Sequence, residues 1–153
     1  MFNEYAIIFS LLTIYTIALH FWTDMRERKV DSRRNYMMVG AVLVIGLISG
    51  QTQTLIITGI LAIAFMILLG RIEQKQGKVV FGDGDKEILG WSIPGIALVF
   101  GYGYAALFVC LLMVSFMVLA YLRHFKKVDA SKLPGLIFIA LAYIVILIFG
   151  WFL

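Results

Sequence analysis

Charge is what this chain has least of. Only 14% of its 153 residues are Asp, Glu, Lys or Arg, against 62% that are hydrophobic. An average soluble domain carries roughly 25% charged and about 45–50% apolar residues. A soluble globule of this size could not cover its surface from such a composition. Disorder is excluded from the other side, because it requires low hydrophobicity and the mean hydropathy here is +0.97. Cysteine is nearly absent: Cys110 stands alone inside an apolar run, so there is neither a disulfide framework nor a CxxC zinc pair. The stretch before the first apolar run, Met1–Glu4, lacks Lys and Arg. It therefore lacks the basic start of a removable signal peptide, and the first helix is expected to be retained. The class left is an all-α, multi-pass membrane protein. At about 20 residues per span, six spans use roughly 120 residues, so a single transmembrane domain over 1–153 is expected, without room for a separate soluble one.

Six apolar runs can be marked, at about Tyr5–Thr23, Tyr36–Gly50, Thr54–Gly70, Ile88–Gly101, Tyr104–Leu122 and Leu133–Leu153. They lack polar alternation and are too long for half-buried strands. The second and fourth are short for a hydrocarbon core about 30 Å thick. They are expected to borrow flanking polar residues, with Arg33 and Arg34 reaching out from the start of the second helix. Pro94 predicts a kink in the fourth helix, and Pro134 suits the start of the sixth.

The connections alternate in character. Gln51–Gln53 and Gly101–Gly103 carry no charge, whereas Asp24–Asn35, Arg71–Glu87 and Arg123–Lys132 hold all thirteen Lys and Arg residues. Six spans put those three connections on one membrane face, and the positive-inside rule makes that face cytoplasmic. Both termini are then expected outside. Topology and anionic lipid account for the basic excess, so no nucleic-acid partner is expected.

The nine acidic residues are the informative set. Glu4 and Asp129 read as loop charges. Asp24 ends the first run, and Asp83 and Asp85 stand in Phe81-Gly82-Asp83-Gly84-Asp85-Lys86-Glu87 at the mouth of the fourth. Both groups fall at the expected cytoplasmic face, where the first and fourth helices can bring them together. Structural readings stand beside this one. Asp24 can pair with Arg28 one turn on, and Asp85 can cap the fourth helix with the glycines serving a turn. A cation loop at Asp83, Asp85 and Glu87 is a further reading, but the glycine and glutamate that complete a calcium loop are missing. His20 precedes Asp24 by four residues, on the same helical face. It reads as a structural interfacial histidine, with tuning of that acid as the alternative.

These residues resemble the prepilin and prearchaellin peptidases, membrane aspartic proteases with a GxGD motif. In that family one catalytic Asp ends the first of six helices, in a pattern D-x-x-x-R-x-hydrophobic-Pro-Asn, and the second is the Asp of GxGD at the start of the fourth. Asp24-Met25-Arg26-Glu27-Arg28-Lys29-Val30 matches the first pattern through its hydrophobic position, and Gly82-Asp83-Gly84-Asp85 matches GxGD. Leu133-Pro134-Gly135 is similar to a proline motif in the same place. Asp31 and Ser32 depart from the family's Pro-Asn, and Lys86 stands one position early. Presenilin-like proteases share GxGD but have nine helices.

The resemblance implies an aspartic endopeptidase with Asp24 and Asp85 as the catalytic pair, Gly82, Gly84 and Arg28 supporting the loop, and no metal or other cofactor. Its substrate would be the basic leader of a pilin-like or archaellin-like precursor, cut at the cytoplasmic face beside membrane lipid. Two adjoining carboxylates share one proton near neutrality. The ionised member takes a proton from water, the water attacks the scissile carbonyl, and the protonated member polarises it. Relatives that also methylate carry a cytoplasmic domain with paired CxxC motifs, which this chain lacks, so cleavage without methylation is expected. Glu27, Asp31, Asp83 and Glu87 are candidate attractors for a basic leader, opposed by the thirteen basic residues around them. Two other functions compete. One is a small proton- or cation-coupled transporter using the same acids, although no repeated halves are evident. The other is a catalytically silent assembly partner.

Overall fold

The computed structural model describes residues 4–27, 32–76, 83–126 and 135–152. They form six helices and no strand: α1 (Glu4–Glu27), α2 (Ser32–Ile48), α3 (Thr52–Gln76), α4 (Asp83–Phe100), α5 (Tyr102–Lys126) and α6 (Gly135–Phe152). Each apolar run became one helix. The two short runs start earlier than their hydrophobic content suggests, α2 at Ser32 and α4 at Asp83. The polar flanks are thus helical, as their length required. α4 continues through Pro94.

The neutral links are tight turns set by glycine. Gly50 and Gly101 have φ of +70° and +98°, a left-handed conformation in which a Cβ would crowd the backbone. The Gln51 amide donates to the Gly46 carbonyl at 3.0 Å and the Gly101 amide to Ala97 at 3.0 Å, so the last carbonyls of α2 and α4 are satisfied as the chain reverses.

α4 is the axis of the bundle and packs against all five other helices. Every residue from 91 to 98 is buried, which explains why this helix is apolar all round rather than on one stripe. Its closest approach to α1 is at Gly95, where the Phe9 ring occupies the space a Cβ would need. An aromatic column crosses the middle of the bundle. Phe9 meets Trp91 edge-on at 6.5 Å, Trp91 lies 6.1 Å from Tyr143, and Tyr143 lies 5.1 Å from Phe108. Rings from α1, α4, α6 and α5 are thereby locked in one layer.

The exterior is apolar, and the mostly hydrophobic core also holds several polar side chains. Large apolar side chains such as Leu11, Ile14, Met37, Ile60, Leu61 and Met117 face outward, while Ser10, Thr13, Thr16, His20, Asn35 and Ser92 are buried. Among the described residues, two helices, over Glu4–Thr23 and Thr52–Lys75, are long and apolar enough to cross a membrane.

Candidate functional site

One end of the bundle gathers the charged connections. Ser32 begins α2, Glu73 lies near the end of α3, and Lys86 and Glu87 lie in the first turns of α4. The Ser32 hydroxyl donates to Glu87 Oε1 at 3.1 Å, and Lys86 Nζ pairs with Glu73 Oε2 at 2.7 Å. The neutral turns meet at the other end, where Gln51 Nε2 donates to the Leu98 carbonyl at 3.2 Å and the Tyr102 hydroxyl to Thr54 Oγ1 at 3.2 Å. The alternation of charged and neutral connections along the chain is therefore an alternation of bundle ends.

Asp85 lies at the charged end, third residue of α4, and its side chain is buried with 8% of its surface exposed. The helix starts two residues before it, so Asp85 lies inside the first turn rather than at the cap position. Gly84 is helical as well. Consecutive helical residues point about 100° apart, and the next two use that rotation: Lys86 turns to α3 and Glu87 to α2. Asp85 shares its helix face with Ser92, seven residues on, which approaches Tyr143 of α6 and Thr13 of α1. Asp83, Asp85 and Glu87 do not form a calcium-type loop, because this segment is helical.

Asp24 falls in the last turn of α1, one turn beyond His20. α1 packs against α2, α4 and α6, so position 24 stands at the end of a helix that touches the helix carrying Asp85. Arg28 and Gly82 lie outside the described residues, as do Asp31 and Pro134.

A buried hydrogen-bond hub, absent from the sequence reading, binds these elements. Its centre is Asn35, 1% exposed on α2. Asn35 Nδ2 donates to Glu87 Oε2 at 3.0 Å, Trp91 Nε1 donates to Asn35 Oδ1 at 3.2 Å, and His20 Nε2 lies 3.1 Å from the same oxygen. The carboxylate of Glu87 and the indole N–H of Trp91 fix the orientation of the amide, since one can only accept and the other only donate. His20 must then carry its hydrogen on Nε2. The histidine is wholly buried. Glu87 has both carboxylate oxygens engaged, by Ser32 and Asn35, and so is a tie between α4 and α2 rather than a steering charge. The signal that could have found the hub was polarity in the wrong place: an Asn one position before an apolar run, and a Trp eight residues into α4.

Among the described residues these features define an all-helical protein with a hydrophobic core threaded by buried polar side chains, and a buried carboxylate at the charged end. No family model matches the chain, and neither a curated protein nor a solved structure matches it.

Proposed function

We propose that this chain is a multi-pass membrane aspartic endopeptidase of the prepilin and prearchaellin type, with Asp24 and Asp85 as its acid–base pair. The observation that carries the reading is the burial of Asp85 in the first turn of α4, at the charged end of the helix against which α1 packs. A carboxylate is costly to bury, and burial beside a second acid favours the singly protonated pair that such hydrolysis needs. The many large apolar side chains on the exterior support a lipid surround, since lipid tolerates exposed apolar faces and water does not. α2 and α4 have 17 and 18 residues, about 25–27 Å of helix, which suits spans whose polar first turns sit at the cytoplasmic interface. The ion pair and hub at that end would hold the carboxylates at the depth where a basic leader joins its hydrophobic helix.

The reading is tested by cleavage of a candidate pilin-like or archaellin-like precursor in membranes. Asp24→Asn and Asp85→Asn should each abolish cleavage, and Asp83→Asn should leave most of it. Full activity in the first or second variant would sink the pair, and loss confined to the third would move the assignment by two residues. The transporter reading draws on one observation, the buried stripe Ser10, Thr13, Thr16 and His20 along α1. Proton or cation flux into liposomes without precursor cleavage would favour it.

A further inference from the structure

We propose that Asn35 is a positioning residue for the acid pair. Its amide is the spacer that sets how closely the end of α1 approaches the start of α4, and with it how closely position 24 approaches Asp85. The catalytic consequence rests on the peptidase reading; the spacing does not.

The seam between α1 and α4 is held at two heights. Towards the neutral end the Phe9 ring lies against Gly95. At the charged end the two helices are joined through α2. His20 Nε2 of α1 lies 3.1 Å from Asn35 Oδ1, and Asn35 Nδ2 donates to Glu87 Oε2 of α4 at 3.0 Å. His20 and Asn35 are 0% and 1% exposed, so bulk water does not compete for these bonds. Phe9 and His20 stand eleven residues apart, about three helical turns, so one face of α1 makes both contacts.

An amide suits the second point because it both accepts and donates. Its oxygen takes the histidine and its nitrogen the carboxylate. A donor on α1 and an acceptor on α4 are thereby linked while held an amide's width apart. Without the amide, the imidazole N–H and the Glu87 carboxylate are complementary to each other, and nothing in this bonding keeps the two helix ends at their present separation.

Both acids lie just outside this point. Position 24 follows His20 by four residues, about 6 Å along α1 towards the charged end. Asp85 precedes Glu87 by two residues, about 3 Å along α4 in the same direction. The two positions are therefore level to within about one turn, and their lateral separation depends on the tilt of α1. Position 24 stands fifteen residues beyond Phe9, about 22 Å. A tilt of about 3° around the Phe9–Gly95 contact moves it by about 1 Å, and a displacement of that size at a reacting group can lower a rate about a hundredfold.

The test has two arms, both in membranes. In the first, a short bifunctional maleimide joins positions 24 and 85 in Asp24→Cys/Asp85→Cys on a Cys110→Ser background. Crosslinking is expected, and Asn35→Ser should slow it several-fold. Gly101→Ala, which strains the positive-φ turn at the opposite end, should not. In the second, Asn35→Ser with both acids intact should cleave precursor with kcat lowered about tenfold or more and KM within about twofold. His20→Phe, which removes only the α1 arm of the spacer, should act like Asn35→Ser in both arms and stands in for it if that variant does not fold. Gly101→Ala should keep its kcat. Absence of the crosslink, or a crosslinking rate indifferent to residues 20 and 35, would overturn the spacer. Equal losses of kcat in Asn35→Ser and Gly101→Ala would overturn it too, as general destabilisation. An Asn35-dependent crosslink without cleavage by the unaltered chain would remove the peptidase reading and leave the spacing standing.

Discussion

Asn35 shows how much one buried amide can govern. It bonds Glu87, Trp91 and His20 at once, so removing it takes a partner from three groups on two elements, α1 and α4. Asn35→Leu should destabilise the fold by about 3 kcal/mol, more than the loss of one neutral bond, because one stranded partner is a carboxylate. Asn35→Asp should also be severe, since it sets a second acid against Glu87, and Glu87→Gln should partly restore that variant. Chemical or thermal unfolding in detergent reads both effects, and additive losses in the double variant would dissolve the hub. The Lys86–Glu73 pair is a milder case. Glu73 is 8% exposed and Lys86 20%, so Lys86→Ala leaves an acid in a poor environment at a cost of about 2 kcal/mol, below that of a wholly buried pair. Asp85 was legible in the sequence because two glycines flank one acid just before another. Asn35 was not, because a single amide next to arginines looks like the end of a loop until its partners are known.

Among the elements, α4 has the most distinctive role. Its sequence reads as a short, indifferent span, but its position as axis makes it the helix with the least freedom to vary. Gly95→Ala should cost roughly 1–3 kcal/mol through overpacking, because the added Cβ meets the Phe9 ring. Phe9 is 1% exposed and held edge-on to Trp91, so it has little room to retreat. Phe9→Leu in the same chain should recover part of the loss, and equal melting of single and double variants would contradict the contact. Gly101→Ala tests a different device. Nothing lies near its Cβ position, so its cost, about 1–2 kcal/mol, is backbone strain at positive φ. The helices themselves were legible from the apolar runs, and the extension of α2 and α4 into polar flanks was expected from their shortness; α1, α3 and α5 also run past their apolar runs, to Glu27, Gln76 and Lys126. The polar starts of α2 and α4 are held by Ser32, Asn35, Lys86 and Glu87 bonding across elements, which hydrophobicity alone does not show.

For the whole molecule, the apolar exterior gives a direct prediction. Cys110 is exposed on α5, about 12 Å from that helix's start. In a bilayer a charged, membrane-impermeant maleimide should label it slowly, and denaturation should make it react fully. Rapid labelling in intact membranes would place that face in water. On a Cys110→Ser background, Gln53→Cys should react from outside intact cells and Lys75→Cys only after permeabilisation. The reverse order would invert the orientation, and labelling of both from one side would break the alternation of bundle ends.

The sequence by itself determined the class and number of helices, because apolar length and scarce charge are properties of single segments. It also determined which connections share an end, since charge alternates with the helix count, and it singled out Asp24 and Asp85 by motif. Only the tertiary structure decided that α4 is the axis, that Asp85 is buried within the first turn, and that His20, Asn35, Glu87 and Trp91 form one hub. Those outcomes depend on which face of each helix meets which neighbour. With every helix apolar on most sides, rotation about its axis is written in packing and in a few buried hydrogen bonds rather than in any local pattern.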